Sequence, residues 1–239
     1  MPGLFIVATP IGNLEDTTEL ARRILSEADL VLAEDTRTSQ KLFAHLNIVP
    51  KELASYHDYN KERVSARILE FLTAQKTVAL ISDAGTPGIA DPAFNLVRSA
   101  IARGIKVSPV PGACAAIAAL ACSGLPTDRF VFENFLPVKS GRRKALLESL
   151  ARETRTVICY ESPHRIEKVL GEMAEVLGDT IIVVAREVTK VFEEFLRGSA
   201  AELSAHFSNH PPRGEMTVLF NPRIRTSAMT DSNQPDVTP

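Results

Sequence analysis

The chain has 239 residues, 45% hydrophobic and 23% charged, with a formal net charge of −2. These values are ordinary for a folded globular protein of one large or two small domains, and leave nucleic acid open as a partner, since a local basic patch suffices to engage phosphates. No apolar run approaches the roughly 18 residues of a membrane span and no basic stretch with an apolar core opens the chain, so a cytoplasmic protein without a membrane segment is expected.

Leu4-Phe5-Ile6-Val7-Ala8 reads as a buried strand that runs into the loop Thr9-Pro10-Ile11-Gly12-Asn13-Leu14. Asp16 or Thr17 is placed to cap a helix with the apolar stripe Leu20, Ala21, Ile24, Leu25 and Ala28. Leu30-Val31-Leu32-Ala33 is a second strand, and it ends in the polar group Glu34-Asp35-Thr36-Arg37. A helix through Leu42, Phe43 and Leu46 follows, then a short segment Leu53 to Tyr56 and a helix through Val64, Ile68, Phe71 and Leu72.

Val78-Ala79-Leu80-Ile81 has the pattern of a strand buried on both faces, and it breaks into Ser82-Asp83-Ala84-Gly85-Thr86-Pro87-Gly88. Asp91 supplies an N-cap and Pro92 the first helical position, with Ala93, Leu96, Val97, Ala100 and Ile101 on one face and Gly104 at the end. With the strand that starts at Ile105, this is a βαβ unit. Its loop lies at a strand's carboxyl end, where open α/β sheets bind ligands. Gly85 and Gly88 allow close backbone approach, but neither G-x-x-x-x-G-K-[ST] nor G-x-G-x-x-G is present. Asp83 repels phosphate and suits ribose hydroxyls, an ammonium or a sulfonium. Two readings stand: a nucleoside-like cofactor without phosphate, of which S-adenosylmethionine is the obvious member, or an ordinary turn in which Asp83 bonds nearby amides.

Val110-Pro111-Gly112-Ala113 leads into a small-residue helix through Ala115, Ala116, Ile117, Ala119 and Leu120. Turn residues at Ser123-Gly124-Leu125-Pro126 divide the chain into an N-terminal α/β domain, 1–123, and a C-terminal one, 124–221. Phe130-Val131-Phe132-Glu133 restarts the strand pattern. Lys139-Ser140-Gly141-Arg142-Arg143-Lys144 is the densest basic cluster, opening a helix with Leu146, Leu147 and Leu150 inward. The strand Arg155 to Tyr160 ends in Glu161-Ser162-Pro163-His164-Arg165, where Ser162 is placed to cap a helix on Ile166, Val169, Leu170, Met173 and Leu177. Ile181 to Ala185 is a further strand ending in Arg186-Glu187-Val188-Thr189-Lys190, Val191 to Leu196 alternates as an antiparallel strand, and Met216 to Phe220 is the last. Residues 222–239 are polar and patternless, and a disordered tail is expected there.

The three cysteines (Cys114, Cys122, Cys159) lack C-x-x-C spacing and read as reduced core thiols, and the five histidines lack ligand spacing, so no metal is expected.

Seven blocks together carry a resemblance: Val7 to Leu14, Ala33-Glu34-Asp35-Thr36-Arg37, Ser82 to Pro87, Pro111-Gly112-Ala113, Ser123 to Pro126, Tyr160 to Arg165 and Arg186 to Lys190. In that order they resemble the ribosomal RNA small subunit methyltransferase I family of the tetrapyrrole methylase-like superfamily. The resemblance implies two αβα domains with the cofactor in the cleft between them, and a homodimer. It implies 2′-O-methylation of a cytidine in the decoding region of 16S ribosomal RNA, in the small ribosomal subunit, with S-adenosylmethionine as donor. By position it implies cofactor contacts from Pro10, Asp83, Ala84, Gly85, Thr86, Gly112, Ala113, Cys114 and Ala115, and from Tyr160 and Met216.

Catalytic candidates are the polar strand ends: first Glu34, Asp35 and Arg37, with Asp35 as hydroxyl acceptor and Arg37 holding RNA phosphate or the second carboxylate, then Glu161, His164, Arg186, Glu187 and Lys190. The alternative is that these charges pair with one another. Lys139, Arg142, Arg143, Lys144 and Lys190 are the RNA phosphate candidates, against a solvated helix start. Phe135 and Tyr59 could stack on a flipped base, with core packing the stronger expectation for Phe135. Three positions depart from the family pattern: Ala90 for Ser, Ala93 for Gly and Asn134 for Gly. Asn tolerates positive φ, so Asn134 is expected to keep the same turn. Longer members also carry a C-terminal extension beyond the last strand.

Overall fold

The computed structural model describes residues 2–57, 61–91 and 93–227. The chain divides between Cys114 and Ala115 into two compact units. The first holds five parallel strands, β1 (Gly3–Val7), β2 (Leu30–Ala33), β3 (Leu53–Ser55), β4 (Thr77–Ile81) and β5 (Val107–Val110), in the order β3-β2-β4-β1-β5.

Side chains alternate across these strands, so both faces of the sheet must be covered. Phe5, Val7, Val31, Ala33, Ala79 and Ile81 face helices α1 (Glu19–Glu27) and α2 (Thr36–Leu46). Leu4, Leu30, Leu32, Val78 and Leu80 face α3 (Lys61–Thr73) and α4 (Ala93–Ile101). The expected α1 cap is displaced: Leu14–Asp16 forms a short 3₁₀ turn, and it is the Thr18 side chain that accepts the Ala21 N–H at 3.1 Å. Asp91 behaves as expected, its Oδ1 accepting from Ala93 N–H and Gly88 N–H. Pro92 lies outside the described residues, and Ile101, expected inward, is 62% exposed.

The second unit begins with α5 (Ala115–Ser123) and continues through β6 (Phe130–Phe135), α6 (Ser140–Leu150), β7 (Thr156–Glu161) and α7 (Ile166–Leu177). It ends with β8 (Thr180–Arg186), β9 (Glu194–Ser199), α8 (Ala200–Asn209) and β10 (Met216–Arg225). The strand order is β6-β7-β10-β8-β9, with β6 parallel to β7 and the other neighbouring pairs antiparallel. Val157, Cys159, Met216, Val218, Phe220, Ile182 and Val184 point to one face and pack under α6, α7 and α8. Helix α5 lies against β10, β7 and β8, with its alanines giving close approach to the strands.

That packing corrects the expected domain boundary. The turn at Ser123-Gly124 is internal to the second unit, because α5 belongs to the second sheet. It is further tied by Arg197, whose guanidinium donates to the Ser123 and Cys122 carbonyls at 3.0 and 2.6 Å. The expected end of structure is also displaced, since β10 runs on through Arg225, where Arg225 pairs with Thr180. Residues 228–239 lie outside the described residues. Two further boundaries shift: α7 starts at Ile166 after a turn over Ser162 to Arg165, and β9 starts at Glu194, with Val191 and Phe192 in the preceding turn.

Candidate functional site

In the first unit, α4 departs from the end of β4 to one face of the sheet, while α1 and α2 depart from β1 and β2 to the other. Strand β4 is flanked by β1 and β2. The helices that follow β4 and its two neighbours therefore leave on opposite faces of the sheet, the arrangement that places a ligand crevice at the carboxyl end of the central strand in open α/β folds. Asp83 stands there.

Four loops are stitched together around that point. Thr9 and Gly85 exchange backbone hydrogen bonds at 2.9 and 3.1 Å, and the Thr9 hydroxyl donates to the Ser82 and Gly85 carbonyls. The Thr86 hydroxyl donates to the Ala113 carbonyl at 3.0 Å, which joins the loops after β4 and β5. The Asp35 N–H donates to Asp83 Oδ1 at 3.0 Å, which joins the loops after β2 and β4. Two glycines make the stitching possible. Gly85 has φ +79°, and a Cβ on Gly112 would lie 2.9 Å from Ala8 Cβ, inside van der Waals contact. Pro10 is buried beside Thr9, Asp83, Ala84 and Gly112 are exposed, and Thr86, Ala113 and Cys114 are half-buried. The structure thus gathers the expected first-unit residues Pro10, Asp83 to Thr86 and Gly112 to Cys114 at one edge, while Ala115 opens α5 in the second unit. Asp83 does bond a nearby amide, but only through Oδ1. Oδ2 accepts no hydrogen bond among the described residues.

The catalytic candidates are more constrained than their sequence implies. Asp35 is the N-cap of α2, and its carboxylate is gripped by Arg37 through Nε at 3.1 Å and Nη2 at 2.7 Å. Those side-chain hydrogen bonds, followed by the Arg37 N–H, lower the Asp35 pKa to about 2. A carboxylate held so firmly ionised is a weak proton acceptor near neutral pH. Arg37, at 87% side-chain exposure, keeps the rest of its guanidinium toward solvent. Glu34 is half-buried beside Tyr56, Ser82 and Asp91.

In the second unit, Tyr160 and Met216 point to opposite faces. Tyr160 pairs with Thr217, whereas Met216 pairs with Glu161 and sends its side chain into the helix-covered core, 3% exposed. A cofactor contact from Met216 could only be made by main chain. Tyr160 meets the edges of Phe132 and Phe135 at 5.0 and 5.7 Å between ring centroids. Phe135, expected in the core, is 52% exposed. Strand alternation would turn Phe135 away from Phe132. A bulge between them, with Asn134 at φ +58°, returns it to the same face. Asn134 thus takes the turn conformation expected of it. Tyr59 lies outside the described residues.

The remaining strand-end charges are paired. Glu161 is buried, which raises its pKa, while the Ser162 N–H and Arg165 at 3.1 Å pull the other way. Arg186 donates to Glu194, and Lys190 donates to Glu187 and Glu215 at 2.8 and 2.9 Å. Burial alone would lower the Lys190 pKa, but the two carboxylates outweigh it and raise it. His164 is exposed.

The basic cluster splits. Arg143, expected to reach RNA, is turned inward: its side chain is 2% exposed and grips Glu172 at 2.6 and 2.8 Å. Spacing i, i+4, i+7 puts Arg143, Leu147 and Leu150 on one buried helix face. Lys144 is held by Glu175 at 2.5 Å. Lys139 and Arg142 are exposed, and no ion pair engages them among the described residues.

Residues 3–204 match the family described as tetrapyrrole (corrin/porphyrin) methylases. The chain is 50% identical over 217 residues to the ribosomal RNA small subunit methyltransferase I of Halalkalibacterium halodurans, covering 90% of this chain and 74% of that protein. It is 44% identical over 221 residues to the protein of the same name from Thermotoga maritima, covering 92% and 99%. Among solved structures, a diphthine synthase aligns with a TM-score of 0.75 at 15% identity, covering 95% of this chain and 92% of the other. A uroporphyrin-III C-methyltransferase from Thermus thermophilus, complexed with S-adenyl homocysteine, aligns with a TM-score of 0.62 at 21% identity over 91% and 96%. At such identities the structural likeness speaks for the fold.

Proposed function

We propose that this chain, which belongs to the ribosomal RNA small subunit methyltransferase I family of the tetrapyrrole (corrin/porphyrin) methylases, methylates the 2′-hydroxyl of a cytidine in the decoding region of 16S ribosomal RNA. It uses S-adenosylmethionine and acts in the cytoplasm on the small ribosomal subunit, as a homodimer. The observation that carries the reading is the stitched crevice at the end of β4, whose chemistry fits a cationic nucleoside without phosphate. Asp83 Oδ2, which accepts no hydrogen bond among the described residues, is open for a hydroxyl pair or a positive centre, and the missing Cβ atoms of Gly85 and Gly112 let the loops that frame it pack against Ile11 and Ala8.

Bound S-adenosylmethionine supplies an electrophilic methyl carbon on a sulfonium. The residues of the first unit supply position. Thr9, Thr86 and the Asp35 N–H fix the loops that carry Asp83, Gly85 and Ala113, so the crevice is ordered before a ligand arrives. Arg37 is the cation that faces the hydroxyl or its flanking phosphate, and Asp35 aims it through two charge-assisted hydrogen bonds. Glu34 completes the polar end of β2. In the second unit, Tyr160 and the Met216 main chain remain cofactor-contact candidates, and Lys139 and Arg142 the phosphate contacts.

Transfer of labelled methyl from S-adenosylmethionine to small subunits lacking the modification, followed by nucleoside mass spectrometry, tests this. The expected product is O2′-methylcytidine, lost in Asp83→Ala. Labelling of a base, or none at all, would refute the assignment.

A further inference from the structure

From the last residue of β6 through the first turn of α6, residues 135–142, the chain makes a bend whose main chain is held from beneath while several of its side chains stand outward. Leu136 anchors it, 1% exposed. Arg165 Nη2 donates to the Leu136 carbonyl at 2.7 Å, and Arg143 Nη1 donates to the Pro137 and Val138 carbonyls at 2.9 and 3.0 Å. Arg143 is itself fixed by the buried Glu172, which also accepts from the Ser140 hydroxyl at 2.7 Å. Three successive carbonyls are therefore satisfied by two guanidiniums on the protein side.

What faces outward is specific. Phe135 is 52% exposed and Val138 78% exposed, followed by the exposed cations Lys139 and Arg142, which no ion pair engages among the described residues. The bulge at Asn134 keeps Phe135 edge-on against Tyr160, so the ring is supported on one side and open on the other. A propped aromatic face with two exposed cations a few residues away is the combination that binds a single-stranded nucleic acid: a base stacks and the flanking phosphates meet the charges.

Resting on the function proposed above, we infer that the 135–142 turn is a preformed single-stranded RNA clamp, with Phe135 the base-stacking platform and Lys139 and Arg142 the phosphate contacts. The clamp holds substrate and takes no part in methyl chemistry.

The test uses the full chain and fluorescence anisotropy with a fluorescein-labelled single-stranded oligoribonucleotide of mixed sequence, titrated at several KCl concentrations, with its duplex as control. Single strands are expected to bind more tightly than the duplex. Phe135→Ala weakens binding roughly 5- to 150-fold, the range of one lost stack, and Phe135→Tyr restores it. Lys139→Ala and Arg142→Ala each reduce the slope of log affinity against log salt by about 0.7, the value for one phosphate contact on a single strand. Phe135→Tyr, which keeps the ring against Tyr160, also keeps the wild-type urea midpoint and calorimetric affinity for S-adenosylmethionine. Equal binding by wild type and Phe135→Ala would overturn the clamp, as would failure of Phe135→Tyr to rescue. A change of oligomeric state with unchanged RNA affinity would reassign the turn to a protein interface. Because the readout is binding, it is decided even if no methyl transfer is seen; conversely, methylation of subunits with unaffected strand binding leaves the function standing and removes the clamp.

Discussion

Replacing Arg143 with Met removes the centre of a buried network and separates two meanings of a basic cluster. Arg143 makes two hydrogen bonds to Glu172, at 2.6 and 2.8 Å, and two to backbone carbonyls, at 2.9 and 3.0 Å, with 2% of its side chain exposed. In Arg143→Met the Glu172 carboxylate stays buried with only the Ser140 hydroxyl as a named partner, the Val138 carbonyl loses its side-chain donor, and Pro137 keeps only Arg165 Nη2 at 3.4 Å. Orphaning one member of such a pair costs about 3–5 kcal/mol. The loss is expected as a lowered urea midpoint at unchanged m, followed by circular dichroism. In the double variant Arg143→Met/Glu172→Met the buried charge is gone, and much of that cost should be recovered. Hydrogen bonding from Arg143 outweighs burial and lowers the Glu172 pKa, so its contribution is present above the ordinary carboxylate range and is lost as pH falls through the folded value. The wild-type-to-variant gap should therefore narrow in acid. A stability change below 1 kcal/mol, together with a salt slope for RNA binding lower by about 0.7, would mean that Arg143 is a phosphate ligand after all.

Gly112→Ala sets a Cβ 2.9 Å from Ala8 Cβ, forcing the loop after β5 away from β1; a cost of about 1–3 kcal/mol is expected in denaturation, with weaker S-adenosylmethionine binding by calorimetry. Ala90 sits at φ +72°, where a Cβ is crowded, so Ala90→Gly should raise stability by roughly 0.5–1 kcal/mol after the entropic cost of glycine; a lowered midpoint would contradict the strain. Asp35 and Glu153 both have pKa values lowered to about 2 by arginine hydrogen bonds. Their stabilising contributions should thus be complete above about pH 5, fall progressively below the ordinary carboxylate range and be gone once pH has fallen through about 2, with the titrations followed as carboxyl chemical shifts by NMR. Alkylation followed by peptide mass spectrometry should label exposed Cys122 first and Cys114 more slowly, with saturating S-adenosylmethionine shielding Cys114. Cys159, wholly buried and with its pKa raised by burial, should react only on unfolding.

Much of the fold was legible because buried strands announce themselves as short apolar runs, and their polar ends mark the carboxyl edge of a sheet. Asp83 and Gly85 were found that way and Gly112 through the family resemblance, and the structure joins the loops that carry them. Other features obey rules that apolar periodicity misses. Arg143 lies on the buried stripe with Leu147 and Leu150, but a pattern that counts only apolar residues assigns an arginine to water. Helix α8 carries too little amphipathic contrast to stand out. Its signal was Ser199 with Glu202 three residues on, a capping box that the structure forms in full. Helix α5 is almost wholly apolar, so its sequence does not say which sheet it covers. The hold of Arg37 on Asp35 was legible only as an alternative, because both residues also suit catalysis.

The second sheet places its latest strand at its centre: β10, residues 216–225, lies between β7 and β8. On the ribosome, the first unit's five strands have all emerged by Val110 and can close with no help from later sequence. The second unit has no such freedom. Until β10 emerges, β6-β7 and β8-β9 are two separate ribbons, each with an unpaired inner edge. At about 5–20 residues per second, more than a hundred residues separate the two closures, an interval of several seconds or more. A chain stopped short of Met216 would therefore leave release with one finished unit and two strand edges open to any neighbouring chain, which makes the second unit the aggregation-sensitive half during synthesis.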